Sequence, residues 1–128
     1  MEHSPVTVVI AEDEPLMRRV VRAALDEIGC DVVGEANDGS EALRIVTETN
    51  PELILLDIQM PLQDGVETLK QIMAQRPDSY VIMLTSIDDD KAIAECLRSG
   101  AKDFLTKTMP LTEMMSRLQA HKLCIREM

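Results

Sequence analysis

Apolar and polar positions along the chain switch repeatedly between two periods. Val6–Ala11 is an apolar run, the pattern of a strand covered on both faces. Pro15 then stands where a first helical turn begins. Leu16, Val20, Ala24 and Ile28 recur at helical spacing until Gly29 stops the helix. Cys30–Ala36 is a second β-rich run. Asn37-Asp38-Gly39-Ser40 makes a turn and cap for a helix carrying Ala42, Leu43 and Val46. After Pro51, Leu53–Leu56 is again purely apolar and ends at Asp57. A loop shaped by Pro61 and Gly65 leads to a helix with Leu69, Ile72 and Met73, closed by Pro77. Tyr80–Leu84 reads as the fourth strand. Asp88-Asp89-Asp90 opens a helix with Ala92, Ile93, Cys96 and Leu97, ended by Gly100. Asp103–Thr106 is a short fifth strand, and Pro110 starts a last helix with Leu111, Met114, Met115, Leu118 and Ile125.

Strand candidates therefore begin near residues 6, 30, 52, 80 and 103. Gaps of about 24 residues suit one βα unit each. Five such units with right-handed crossovers make an α/β fold, a doubly wound five-stranded parallel sheet. They use nearly all 128 residues, so the expectation is one domain over 1–128, with a core over about 6–123 and no output domain within the chain. A ligand site belongs at the carboxyl ends of the strands, at the topological switch point.

Composition removes several classes of function. There are 13 Lys plus Arg against 23 Asp plus Glu, a formal net charge of −10. Tyr80 and Phe104 are the only aromatic residues besides the histidines. Affinity for phosphate backbones and anionic lipid comes from Lys and Arg, and single strands need stacking rings. Direct binding of nucleic acid or of a membrane is therefore not expected. Cys30, Cys96 and Cys124 form no C-x-x-C pair and are odd in number, so they read as reduced thiols. Without a cationic leader or a long apolar run, the expected location is cytoplasmic. His3 and His121 read as surface residues.

The strand ends carry the chemistry. The first strand runs into Glu12-Asp13, the third into Asp57, the fourth into Thr85-Ser86 and the fifth into Lys107. In a sheet ordered 2-1-3-4-5 the first and third strands flank the switch point, so three carboxylates converge. Two unit charges roughly 4 Å apart cost about 4 kcal/mol at an effective dielectric near 20. Such a group needs raised pKa values or a counter-charge, and a hard cation such as Mg²⁺ with oxygen ligands supplies one. A carboxylate beside that cation can attack a phosphoryl group, whose oxygens a hydroxyl (Thr85) and an ammonium (Lys107) would then meet.

In this setting the chain resembles the receiver domain of two-component response regulators. The resemblance rests on Val8-Val9-Ile10-Ala11-Glu12-Asp13-Glu14-Pro15, Leu55-Leu56-Asp57-Ile58-Gln59-Met60-Pro61, Asp64-Gly65, Met83-Leu84-Thr85-Ser86 and Gly100-Ala101-Lys102-Asp103-Phe104-Leu105-Thr106-Lys107, in order and at strand ends. It covers the chain from about Val6 to about Leu123 and implies a chemotaxis-receiver-like, flavodoxin-like fold of order 2-1-3-4-5. It also implies Asp57 as acceptor of a phosphoryl group from a sensor histidine kinase or phosphotransfer protein. Mg²⁺ or Mn²⁺ would sit on Asp13, Asp57 and the Gln59 backbone carbonyl, with Glu12 acting through metal-bound water. Thr85 and Phe104 would be switch residues, and Lys107 would pair with the phosphoryl group. The surface of the fourth helix, fifth strand and fifth helix would then control a downstream output protein or domain, and a phosphorylation-driven homodimer is compatible with this scheme.

Duller readings stand beside these. Glu12 and Asp13 also suit a cap for the helix at Pro15, Phe104 also suits a core, and Asp88–Asp90 suits a solvated helix start. Intact Glu12, Asp13, Asp57, Thr85 and Lys107 weigh against a receiver-like adaptor that works without phosphate. A flavodoxin-type redox carrier would want a Ser/Thr/Gly-rich phosphate loop and rings around flavin, which this chain lacks. Two departures from the family pattern matter. Thr108 rather than Pro follows Lys107, a variant that resembles receivers attached to LuxR-type outputs, and a trans peptide is expected there. Gln59 and Ile87 occupy the positions that tune attack of water, and Ile87 cannot orient one. The expected phosphoryl form is long-lived: a switch that catalyses its own phosphorylation and slow dephosphorylation, not a metabolic enzyme.

Overall fold

A computed structural model describes residues 4–60, 63–86 and 90–128. The expectations placed on His3, Pro61, Ile87, Asp88 and Asp89 lie outside these described residues.

Strands and helices alternate through the chain: β1 (Thr7–Ala11), α1 (Pro15–Glu27), β2 (Asp31–Ala36), α2 (Gly39–Thr49), β3 (Leu53–Asp57), α3 (Gly65–Gln75), β4 (Val81–Thr85), α4 (Asp90–Arg98), β5 (Asp103–Thr106) and α5 (Leu111–Arg126). All strand pairs are parallel, in the order β2-β1-β3-β4-β5. The doubly wound architecture expected from the alternation is the observed one. Strand starts move by about one residue, because Val6, Cys30 and Tyr80 are buried yet precede the ladders.

Alternate strand residues feed two cores. Val8, Ile10, Leu53, Leu55, Ile82, Leu84 and Leu105 face α1 and α5, where Val21, Leu25, Met114 and Leu118 meet them. Val9, Ala11, Ile54, Leu56, Val81 and Met83 face α2, α3 and α4, against Val46, Leu69, Ile72 and Cys96. Burial on both faces explains why β3 and β4 read as unbroken apolar runs.

The helix stripes need a correction. Leu16 is 72% exposed and Val20 36%, and the buried face of α1 is Val21, Ala24 and Leu25. Ala24 and Ile28 of the expected stripe do pack against the core, so the stripe leaves the buried face only in the first half of the helix. Leu97 and Leu111 are likewise exposed while Cys96, Met114 and Leu118 are buried.

Local chemistry fixes the boundaries that matter for the site. Asp38 and Asp64 cap α2 and α3, accepting hydrogen bonds from the amides of Glu41 and Glu67 at 2.8 and 2.9 Å. Gly29, at φ +83, takes the left-handed position that ends α1. Gly65 is required by a close approach: a Cβ there would lie 2.1 Å from the Asp57 carbonyl oxygen. Its amide donates to the Ile58 carbonyl at 2.7 Å, drawing the loop after β3 tightly over the strand end.

Candidate functional site

The parallel register brings the strand ends level. Ala11 pairs with Leu56, Asp57 with Leu84, and Thr85 with Thr106. Glu12, Asp57 and Thr85 therefore come to the same edge, all buried, and the Lys107 amide donates to the Thr85 carbonyl at 2.8 Å.

The acids converge as the strand-end argument expected. Glu12, Asp13 and Asp57 each offer an oxygen, and these oxygens lie within 4.8 Å of one another. Glu12 is 0% exposed and Asp57 1%. Lys107 Nζ sits among them, 2.9 Å from Glu12 Oε2, 3.0 Å from Asp57 Oδ2 and 2.9 Å from Glu14 Oε1. It also lies 2.8 Å from Glu12 Oε1, but its directed bond goes to Oε2, so Oε1 is buried without a hydrogen bond. The other Asp57 oxygen, Oδ1, accepts from the Gln59 amide at 3.0 Å.

Electrostatics follow from this crowding. Burial pushes Glu12 up to about 7, against the opposing hydrogen bond from Lys107. Burial raises Asp57 as well, with Lys107 again pulling the other way. Burial alone would lower Lys107, but hydrogen bonds to Glu12, Glu14 and Asp57 outweigh it and hold the ammonium above its ordinary range. One lysine does not neutralise these acids. The orphaned Glu12 oxygen and the all-carboxylate donor set fit a hard divalent cation.

The remaining sequence-expected residues surround the pocket. Gln59 is exposed beside it, and Ser86 Oγ donates to its Oε1 at 3.3 Å. Phe104 is half-buried, packed against the core that holds Met83 and Cys96. The Lys107–Thr108 peptide is trans, as expected.

Residues 8–119 match the response regulator receiver domain family. The chain belongs to that family. As a receiver domain it is 39% identical over 117 residues to the transcriptional regulatory protein YhcZ of Bacillus subtilis, covering 89% of this chain and 54% of that protein. It is 33% identical over 111 residues to the chemotaxis protein CheY of Listeria monocytogenes, covering 87% of this chain and 93% of CheY. A chain of the CheX–CheY–BeF3–Mg²⁺ complex from Borrelia burgdorferi superimposes with a TM-score of 0.86 at 27% identity, covering 91% of this chain and 89% of that one. The receiver domain spans about half the length of the transcriptional regulators it matches first.

Three residues of the receiver domain escaped sequence reasoning. Glu14 contacts Lys107 directly. Arg18 joins the end of β1 to the β2 side: Nη1 donates to the Glu12 carbonyl at 2.9 Å and to Asn37, and Nε pairs with Glu35 at 3.2 Å. His121 is not the surface residue expected. It is half-buried, its Nδ1 2.6 Å from the Tyr80 hydroxyl and its Nε2 2.8 Å from Asp103 Oδ2. Arg117, one turn earlier on α5, reaches the same carboxylate at 2.5 Å. Burial raises Asp103, but His121 and Arg117 more than offset that and hold it below its ordinary value. The helical spacing of Arg117 and His121 was visible in the sequence; their strand-side partners, distant in the chain, were not. Among the described residues, no helix is long and apolar enough to cross a membrane.

Proposed function

We propose that this receiver domain accepts a phosphoryl group on Asp57 and catalyses that transfer itself. The observation that carries the reading is the position of Asp57: a carboxylate 1% exposed, 3.0 Å from Lys107 Nζ and clustered with Glu12 and Asp13. A carboxylate buried among other acids is costly to hold there. An Asp57 oxygen forms the bond to phosphorus as the donor's P–N bond (phosphohistidine) or P–O bond (acetyl phosphate) breaks.

Mg²⁺ or Mn²⁺ suits Asp13, Asp57 and the Gln59 carbonyl, with Glu12 acting through water; bound there, it offsets negative charge on the transferring group. Lys107 orients the phosphoryl oxygens from the other side, and buried Thr85 at the end of β4 offers its hydroxyl to them. Phe104, one strand over, follows Thr85. The α4–β5–α5 surface then shifts between two populations with different partner affinity. The partners are a sensor kinase or phosphotransfer protein upstream and, given the transcriptional regulators among the relatives, an output that acts on DNA. The BeF3 and Mg²⁺ of the similar Borrelia complex support the same chemistry. A phosphorylation-driven homodimer and a cytoplasmic location belong to this reading. Gln59 and Ile87 tune attack of water on the acyl phosphate, and Ile87, with no hydrogen-bonding group in its side chain, keeps that attack slow.

Incubation of the chain with Mg²⁺ and acetyl phosphate, followed by intact mass measurement, tests this. One added phosphoryl group, absent from Asp57→Asn, is expected. No adduct with acetyl phosphate and no binding of beryllofluoride would favour a phosphate-independent adaptor.

A further inference from the structure

Glu14 is the N-cap residue of α1, yet its side chain makes no capping hydrogen bond. The carboxylate is turned instead toward Lys107, with Oε1 2.9 Å from Nζ. An ammonium group has three protons to donate. Here they are directed to Glu12, Asp57 and Glu14, so the donor capacity of Lys107 is filled by three carboxylates.

These partners differ in how easily they let go. Glu12 and Asp57 are buried, and without Lys107 each would be left as a buried charge lacking its cation. The Glu14 side chain is 62% exposed and returns to water at little cost. A phosphoryl group on Asp57 brings new anionic oxygens beside Lys107 and must claim one of those protons. The Glu14 contact is the one whose carboxylate passes straight into water on release, whereas the Glu12 contact stays in the buried interior.

We infer that Glu14 is a displaceable counter-ion of Lys107, a positioning residue that holds the ammonium at the pocket mouth and yields it to an incoming phosphoryl anion. The inference rests on the phosphoacceptor reading above. It adds a residue outside the three-carboxylate cluster whose effect falls on the anion and not on the cation.

The test measures, on the full chain, beryllofluoride affinity at saturating Mg²⁺, the rate of phosphorylation by acetyl phosphate, and Mg²⁺ affinity by calorimetry. Glu14→Gln keeps the side-chain length and removes the charge. Glu14→Asp keeps the charge but is one methylene too short for the Lys107 contact. Both are expected to bind beryllofluoride about two- to fivefold more tightly and to phosphorylate correspondingly faster, the scale of one exposed ion pair. Mg²⁺ affinity is expected to stay within about twofold. Unchanged or weaker beryllofluoride binding in Glu14→Gln overturns the inference. So does an Mg²⁺ affinity that moves by the same factor, or a Glu14→Asp variant that matches the original chain, since a general field would then suffice. If the unsubstituted chain takes neither beryllofluoride nor a phosphoryl group, the phosphoacceptor reading fails with it.

Discussion

Lys107 Nζ stands 3.0 Å from Asp57 Oδ2, although 50 residues separate them in the chain. Two parallel strand ends, with β4 between them, set that meeting. The cation is the only one bonded to Asp57 among the described residues, and it is aimed where a phosphoryl oxygen would be held. Lys107→Ala is expected to slow phosphorylation by acetyl phosphate about 10²-fold, the scale of one lost transition-state donor. Mg²⁺ affinity should not fall, because the ammonium is no ligand and its charge opposes the cation. Stopped-flow phosphorylation alongside Mg²⁺ calorimetry checks this; parallel losses in both would contradict it.

Glu12 gives the metal-free domain a distinctive pH dependence. Burial pushes its folded carboxyl up to about 7 from an ordinary 4.5, so the folded state holds the extra proton between those values. Stability therefore falls as pH rises through that window, by about 3 kcal/mol at most from this group. Asp57 is raised too and acts in the same direction, whereas Asp103 and Glu52 are lowered and lose their contribution only at more acidic pH. Urea unfolding in chelator should show less stability at pH 8 than at pH 5.5. Glu12→Gln should flatten the slope, and Mg²⁺ should restore stability at pH 8.

Gly65→Ala tests how the loop after β3 is held. The new Cβ would meet the Asp57 carbonyl oxygen at 2.1 Å and Ile58 Cα at 2.7 Å, both backbone atoms that cannot swing aside. A loss of about 2–4 kcal/mol in urea unfolding is expected, with slower phosphorylation because Asp57 itself is displaced. A variant as stable as the original would show that the loop relaxes freely.

His121 separates structure from chemistry. It fastens α5 to the beginnings of β4 and β5 through Tyr80 and Asp103, away from the strand ends that carry the acids. His121→Ala is expected to cost about 1–3 kcal/mol, since it leaves buried polar partners behind. The acetyl phosphate rate should stay within about twofold, as distant sites act independently. A folded variant with a much slower rate would contradict this separation.

Sequence and structure meet most closely where one strand end carries one residue. Asp57 was legible because four apolar residues lead straight into a carboxylate, and Glu12 because β1 does the same. Lys107 followed from the same rule at β5. The stripe on α1 misled because Leu16/Val20 and Val21/Leu25 are both apolar, and only packing against α5 and the sheet selects between them. Glu14, Arg18 and His121 escaped because their partners lie 93, 19 and 41 residues away. Each is a long polar side chain whose role is set by where other elements end, and local periodicity carries no such information.

Whether Asp57 accepts the phosphoryl group is read by phosphorylating the chain with acetyl phosphate and Mg²⁺, trapping the acyl phosphate with borohydride, and mapping the modified residue by peptide mass spectrometry. Conversion of Asp57 alone to homoserine is expected, dependent on both donor and Mg²⁺. Conversion at another carboxylate, or none while the donor is consumed, would contradict it.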